Sequence, residues 1–364
     1  MRKYIDNYYR DAILASIFGD CLALPYEGKT RSYMGQNKLE DIEKEYQKRK
    51  TIAYKEEDPA DSRRVWGLYS NSSSMILASL DSLKDGYDLD TTMKNFLCLV
   101  EDGKYRPLAK SYGLDSATKK SLSRYLLGIK AKQCGCIKDY ENGNGSLKRI
   151  LPFCLFHYGD YKKHGIEGVL YKIYDDSALT HAHLKSKIAC GIYTFVLYEI
   201  LDYRLGLSSL EPEGAEEIGK KEEKRQREIE KEPETLKSLI EKGLDKSHAY
   251  YSNKKDIRLS FSSFSNLYEG NFFEKQVGEI ESSGYVIYSL EAALYILARS
   301  KSLEDGYIEA INLGKDTSGR ASIYGGLAGI YYGISEINKY KESLIGYEKI
   351  LNLIDVNFAR SGLV

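Results

Sequence analysis

The stretch DAILASIFGDCLALPYEG, residues 11–28, decides how the rest of the chain is read. With the residues before it, it places Ile5, Tyr8 or Tyr9, Ala12, Ile13 and Ile17 at the spacing of one helix face. Gly19 then reads as a turn and Asp20 as a helix cap that holds the following loop near the helix end. Pro25-Tyr26-Glu27-Gly28 reads as a loop carrying a carboxylate.

The helical period continues outward. Ser73 to Gly86, Thr92 to Val100 and TKKSLSRYLLGI each predict a helix. LKRILPFCLFHYG predicts a mostly buried helix that has to tolerate Pro152 near its start. SALTHAHLKSKIACGIYTFVLYEIL is the longest periodic segment, with Thr180 as its cap. SGYVIYSLEAALYILARS predicts a buried helix entered at Gly284, and Ser302 with Asp305 fits a capping box for the next. ASIYGGLAGIYYGI suggests a helix closely approached by neighbouring backbone, and KESLIGYEKILNLID a final amphipathic helix. β-type alternation is rare and no motif repeats. The expected fold is all-α, a compact single domain over residues 1–364. One excursion stands apart: about 209–240 is almost wholly charged and reads as an exposed insertion or a partner-binding arm.

Composition narrows the function. Fifty-three Lys and Arg balance 53 Asp and Glu for a formal charge of +0, which supplies no long-range field to attract nucleic acid or anionic membrane. No apolar run reaches the ~18 residues of a membrane span. The start lacks the apolar core of a signal peptide, so a reducing cytoplasm is the default expectation. Five histidines and six scattered cysteines give no zinc-like spacing. Cys21, Cys98, Cys154 and Cys190 read as core, and Cys134 and Cys136 as more exposed.

Four polar motifs sit at or before helix starts: Gly19-Asp20 with Pro25-Tyr26-Glu27, Ser70-Asn71-Ser72-Ser73, Asn144-Gly145-Ser146, and Asn312 through Gly319. Each alone can be a cap or a turn. In this order they resemble the ADP-ribosylglycohydrolases, the DraG-like hydrolases that remove ADP-ribose from proteins or related acceptors. ENGNGSLKRILPF is similar to that family's substrate loop, through Asn144, Gly145, Ser146, Arg149 and Pro152, and SALTHAHLKSKIACGI to its Ser-x-x-Thr-His segment, through Ser177, Thr180 and His181. GYVIYSLEAALYIL and EAINLGKDTSGRASIYGGLAGIYYG resemble its two C-terminal motifs. The resemblance runs from about residue 8 to residue 336.

The resemblance implies two magnesium ions held by a Thr-Asp-Asp-Thr motif and an Asp-x-Asp-Thr motif. This chain has Ser70, Asn71, Ser72 and Ser73 at the first, and Asp316, Thr317, Ser318 and Gly319 at the second. Only Asp316 keeps its carboxylate, and Gly319 also lacks the hydroxyl. Magnesium favours hard anionic oxygen, so no tightly bound pair is expected, and at most a single weak ion beside Asp316. Phosphate can still be received at helix N-termini and by serine hydroxyls. The expected ligand set is Ser70, Asn71, Ser72, Ser73, Asn144, Gly145, Ser146, His181 and Tyr288. His181 reads equally as structural, and Tyr288 either stacks on a ligand or fills the vacated cleft. By the resemblance, Glu27 is the surviving catalytic candidate, acting on water, with Asp316 positioning water or an ion. Three readings follow. They are an ADP-ribosyl hydrolase of weak or lost magnesium dependence, a pseudoenzyme that binds ADP-ribose, another nucleotide or a protein, and a structural role.

Overall fold

The computed structural model describes residues 2–55, 62–108, 113–206 and 235–360, and the side chains from residue 7 to 357 within them. The Ile5 side chain and most of the charged stretch at 209–240 lie outside what is described. Helices follow one another in the order α1 (Arg2–Ala23), α2 (Arg31–Gln36), α3 (Ile42–Arg49), α4 (Asn71–Ser82), α5 (Leu89–Glu101) and α6 (Ser116–Leu126). A short series comes next: α7 (Gly145–Arg149), α8 (Leu151–Phe156), α9 (Tyr158–His164) and α10 (Ile166–Ala178). The second half holds α11 (Leu184–Arg204), α12 (Leu236–Ser252), α13 (Arg258–Phe261), α14 (Val286–Arg299) and α15 (Leu303–Asn312). It closes with α16 (Thr317–Tyr332), α17 (Asn338–Lys341) and α18 (Tyr347–Arg360). Among the described residues the only β features are two isolated bridges, Cys136 with His181 and Gly143 with Tyr285, so the fold is all-α. None of these helices is long and apolar enough to cross a membrane.

Local chemistry explains where the helices start. Thr30, Asp41, Ser70, Asp88, Asp115, Thr235 and Ser302 each accept an N–H of the helix they precede. The box at Ser302 is displaced by one residue: the Asp305 carboxylate reaches back to Lys301 N at 3.0 Å. Pro152 falls in the first turn of α8, just after the chain breaks between Arg149 and Leu151. Its missing N–H and its ring would not suit a continuous helix there. The long segment from Ser177 also divides. Thr180 is not its cap, because Thr180 and its neighbours form the bridge to Cys136, and His183 caps α11 by accepting Lys185 N at 3.2 Å. The last segment breaks at Gly346, whose φ of +80° ends one helical path before α18 begins.

α1 and α16 are the closest pair. Gly19 lies inside α1, not in a turn, and a Cβ there would stand 2.4 Å from Ala321 O. From the other side, a Cβ on Gly325 would be 2.5 Å from Ala15 O and one on Gly329 2.7 Å from Asp11 O. Backbone meets backbone, which larger residues would prevent. α11 is buried along most of its length, and Ile188, Ile192, Val196, Ile200 and Leu201 join the main core. All six cysteines are free thiols, and Cys134 and Cys136 are fully buried, contrary to the exposure expected of them. Their loop is pinned by Arg124, which donates to Cys134 O at 2.8 Å.

Candidate functional site

The first turns of α4 and α16 are brought to one cleft, with α7 between them. Asp20, near the end of α1, caps α4 rather than the loop that follows it. Its Oδ2 accepts Ser70 N (2.9 Å), Ser70 Oγ (2.9 Å), Ser73 N (3.2 Å) and Ser73 Oγ (2.6 Å). Asp20 is fully buried, its Oδ1 meets no donor among the described residues, and burial raises its pKa against those four bonds. Ser70 and Ser73 therefore turn their hydroxyls to Asp20, not to a ligand.

Glu27 plays the same part at α16. Its Oε2 accepts Ser318 N and Ser318 Oγ, both at 2.8 Å, and Thr317 Oγ1 at 3.3 Å. Burial and the neighbouring Asp316 carboxylate hold Glu27 above the usual carboxylate range. Asp316 begins α16, and its Oδ2 accepts Asn144 Nδ2 at 2.7 Å. The same amide donates to Ser289 Oγ at 2.7 Å, so Asn144 ties α7 to α14 and α16.

Ser146 is a correction. Expected to face a ligand, it is fully buried on the far side of α7, where its hydroxyl accepts from Ser177 at 3.0 Å. Tyr288 does not fill the cleft: it is 36% exposed and edges onto Tyr285 at 5.1 Å between ring centroids. His181 stands in the bridge that precedes α11 rather than in a helical first turn. Arg149 donates to Thr180 Oγ1 at 2.8 Å, which leaves the Thr180 hydroxyl proton for His181 Nδ1, also at 2.8 Å. The tautomer this selects carries its proton on Nε2, 3.5 Å from Asp115 Oδ1. Burial brings the His181 pKa down to about 4, so the ring is neutral near pH 7.

Asp115 and Lys148 were not singled out in the sequence. Asp115 looks like an ordinary cap, and caps α6 through Thr118 N at 2.8 Å. Burial pushes its carboxyl up, but the nearby His181, the Thr118 donors and Lys148 outweigh that and hold it low. Gly145 is required between them, since a Cβ there would lie 2.5 Å from His181 Cε1 and 2.6 Å from Asp115 Oδ2. Lys148 lies beside Gly319: a Cβ on that glycine would be 2.7 Å from Lys148 Cδ and 2.6 Å from Asp316 Oδ2. Burial opposes the ammonium charge, but Asp316, Asp115, Glu27 and Asp20 together keep the Lys148 pKa above its ordinary value. Asn71, Ser72, Asp115, Gly145 and Lys148 line a cavity of about 10 Å³, close to the space of one water. A larger cavity, about 320 Å³, lies elsewhere, among Tyr161, Phe195, Tyr198 and Tyr250, and holds none of the motif residues.

A dimagnesium centre does not fit this donor set. Among the described residues no three His, Cys, Asp or Glu side chains are grouped so as to hold a metal ion. Asp20 and Glu27 each direct one oxygen wholly to helix donors, and Asn71, Ser72 and Ser318 supply only neutral oxygens.

A family model described as ADP-ribosylglycohydrolase matches residues 2–362. The chain is similar to two proteins described as ADP-ribosylarginine hydrolase Tri1. It is 40% identical to the one from Serratia proteamaculans (strain 568) over 90 residues, covering 24% of this chain and 25% of that protein. It is 22% identical to the one from Pseudomonas putida (strain GB-1) over 278 residues, covering 75% of this chain and 61% of that protein. The matched regions thus span a quarter and about three-fifths of those relatives. A solved structure described as an ADP-ribosylglycohydrolase-related protein complex superposes with a TM-score of 0.64 at 20% identity, over 99% of both chains. That likeness shows the fold.

Proposed function

The chain belongs to the ADP-ribosylglycohydrolase family, and from that premise we propose that it is a divergent member whose cleft receives an ADP-ribose-like group, with dimagnesium-dependent hydrolysis weak or lost. The observation that carries this reading is the fate of the carboxylates. At the two helix ends, Asp20 and Glu27 serve as caps and Asp316 is bonded to Asn144. The motif positions Ser70–Ser73 and Asp316–Gly319 are, on this reading, degenerate for metal, with at most one weakly held ion beside Asp316. The chain acts as a single domain with a charged excursion, in a cytoplasmic setting.

Ligand groups are offered at the mouth of the cleft, because the small cavity of about 10 Å³ takes no nucleotide. Ser72, Asn71 and the Lys148 ammonium are the side chains best placed to meet a phosphate there, with Tyr288 exposed for stacking. Calorimetric titration with free ADP-ribose tests the proposal. Binding of similar strength in chelator and in magnesium is expected. Binding that needs magnesium, or none in either condition, counts against it.

A second reading has its own support. A carboxyl held above its ordinary pKa beside a helix end suits proton transfer, and Glu27 is such a group. In that case Glu27 takes a proton from water during metal-independent hydrolysis of an ADP-ribosyl bond. The names of the two relatives make ADP-ribosyl-arginine the first substrate to try.

A further inference from the structure

Lys148 is the one basic side chain that lines the small cavity between α4 and α6. Its stem passes over Gly319 from α7: Cδ lies 2.7 Å from the point where that glycine would carry a Cβ, so a larger residue at 319 would make the stem shift. Asp316 Oδ2 stands 2.6 Å from that same point, so the lysine stem and the carboxylate converge over the glycine. On the other side Lys148 shares the cavity wall with Asn71, Ser72 and Asp115. The carboxylates of Asp316, Asp115, Glu27 and Asp20 lie near enough to favour the ammonium charge, Asp316 most strongly. Arg149 and Arg320 are also near, but Arg149 Nη2 donates to Asp176 O and Thr180 Oγ1, away from this cavity, and the Arg320 guanidinium is committed to Ala310 O, Ser282 O and Gly314 O. The space left beside Lys148 is about that of one water, too little for a hydrated divalent ion.

We propose that the Lys148 ammonium is the built-in cation of this cleft, standing between the two helix-end motifs in place of a divalent metal, with Gly319 making room for its stem. The charge that a metal would bring is supplied covalently, and a divalent ion is kept out by both volume and like charge. This stands whether or not the cleft binds ADP-ribose, because it concerns the cation alone.

The test uses Mn²⁺ as the only probe, on metal-stripped full-length protein, with free Mn²⁺ read by electron paramagnetic resonance and stability read by thermal melting. Wild type and Lys148→Arg are expected to bind no Mn²⁺ in the micromolar range and to melt at the same temperature with or without it. Lys148→Met is expected to bind Mn²⁺ at least ~10-fold more tightly than wild type, since the repelling charge is gone, and to be stabilised by it. Should Lys148→Met fail to fold, Lys148→Gln carries the same arm. Micromolar Mn²⁺ binding by wild type overturns the proposal. So does a neutral variant that binds Mn²⁺ no better than wild type, and so does failure of both neutral variants to fold even in millimolar Mn²⁺.

Discussion

At the scale of single residues, the cleft is governed by what each carboxylate oxygen accepts. Asp20 Oδ2 takes four donors from the first turn of α4, so Asp20→Ala strips two backbone N–H groups and two hydroxyls of their acceptor at once. Loss of a buried cap of this kind should cost about 2–4 kcal/mol in chemical denaturation. A cost below about 1 kcal/mol would mean that water takes over the donors and the cap is dispensable. His181 gives a pH signature. Its folded pKa of about 4 lies below the ordinary value of 6.5, so the unfolded chain binds the proton first. Its contribution is full above pH 6.5 and is lost as pH falls towards 4, by up to about 3 kcal/mol. The stability of His181→Gln relative to wild type should therefore improve over that window. A constant difference would show that the ring titrates in the fold as it does in the unfolded chain. Asp20 and Glu27 were legible as residues that matter, because Gly-Asp and Pro-x-Glu stand out in the sequence. Which helix each one caps was not, since the partners lie 50 and 291 positions away. Lys148 and Asp115 were missed because a lysine before Arg149 and an aspartate before a helix look ordinary until the fold brings them together.

Helices were largely legible as elements, because their spacing and caps are local. α1 forms where its period predicts a helix, though it runs on past the expected turn at Gly19, and Ser70 caps α4 as its composition suggests. The failures occur where a distant contact overrides the local pattern. Gly19 reads as a turn, yet the helix continues through it because Ala321 packs against that spot. Thr180 reads as a cap, yet the bridge to Cys136 claims its backbone. The Gly19 contact yields a direct prediction. Gly19→Ala places a methyl group 2.4 Å from Ala321 O and 2.8 Å from Tyr307 Cε1, so α1 and α16 must move apart. The expected loss is about 2–3 kcal/mol despite alanine's better helix propensity. Since both helices frame the cleft, thermal melting should fall together with ADP-ribose affinity. A stabilised Gly19→Ala protein would contradict the packing of this pair.

For the whole molecule, the two helix ends that meet at the cleft are capped by carboxylates from elsewhere in the chain, Asp20 at α4 and Glu27 at α16. The resemblance implies carboxylates where the sequence has Asn71, Ser72 and Ser318, an expectation the sequence could yield because a motif position is read one residue at a time. The sequence could not show that Asn71 with Ser72, Asp115, and Gly145 with Lys148, from three separate chain segments, meet around one small cavity of about 10 Å³. The most direct measurement is turnover of ADP-ribosyl-arginine by metal-stripped protein, with and without added magnesium. The account predicts that magnesium produces little or no increase in rate. Robust turnover that appears only with magnesium and disappears in Asp316→Ala would contradict it.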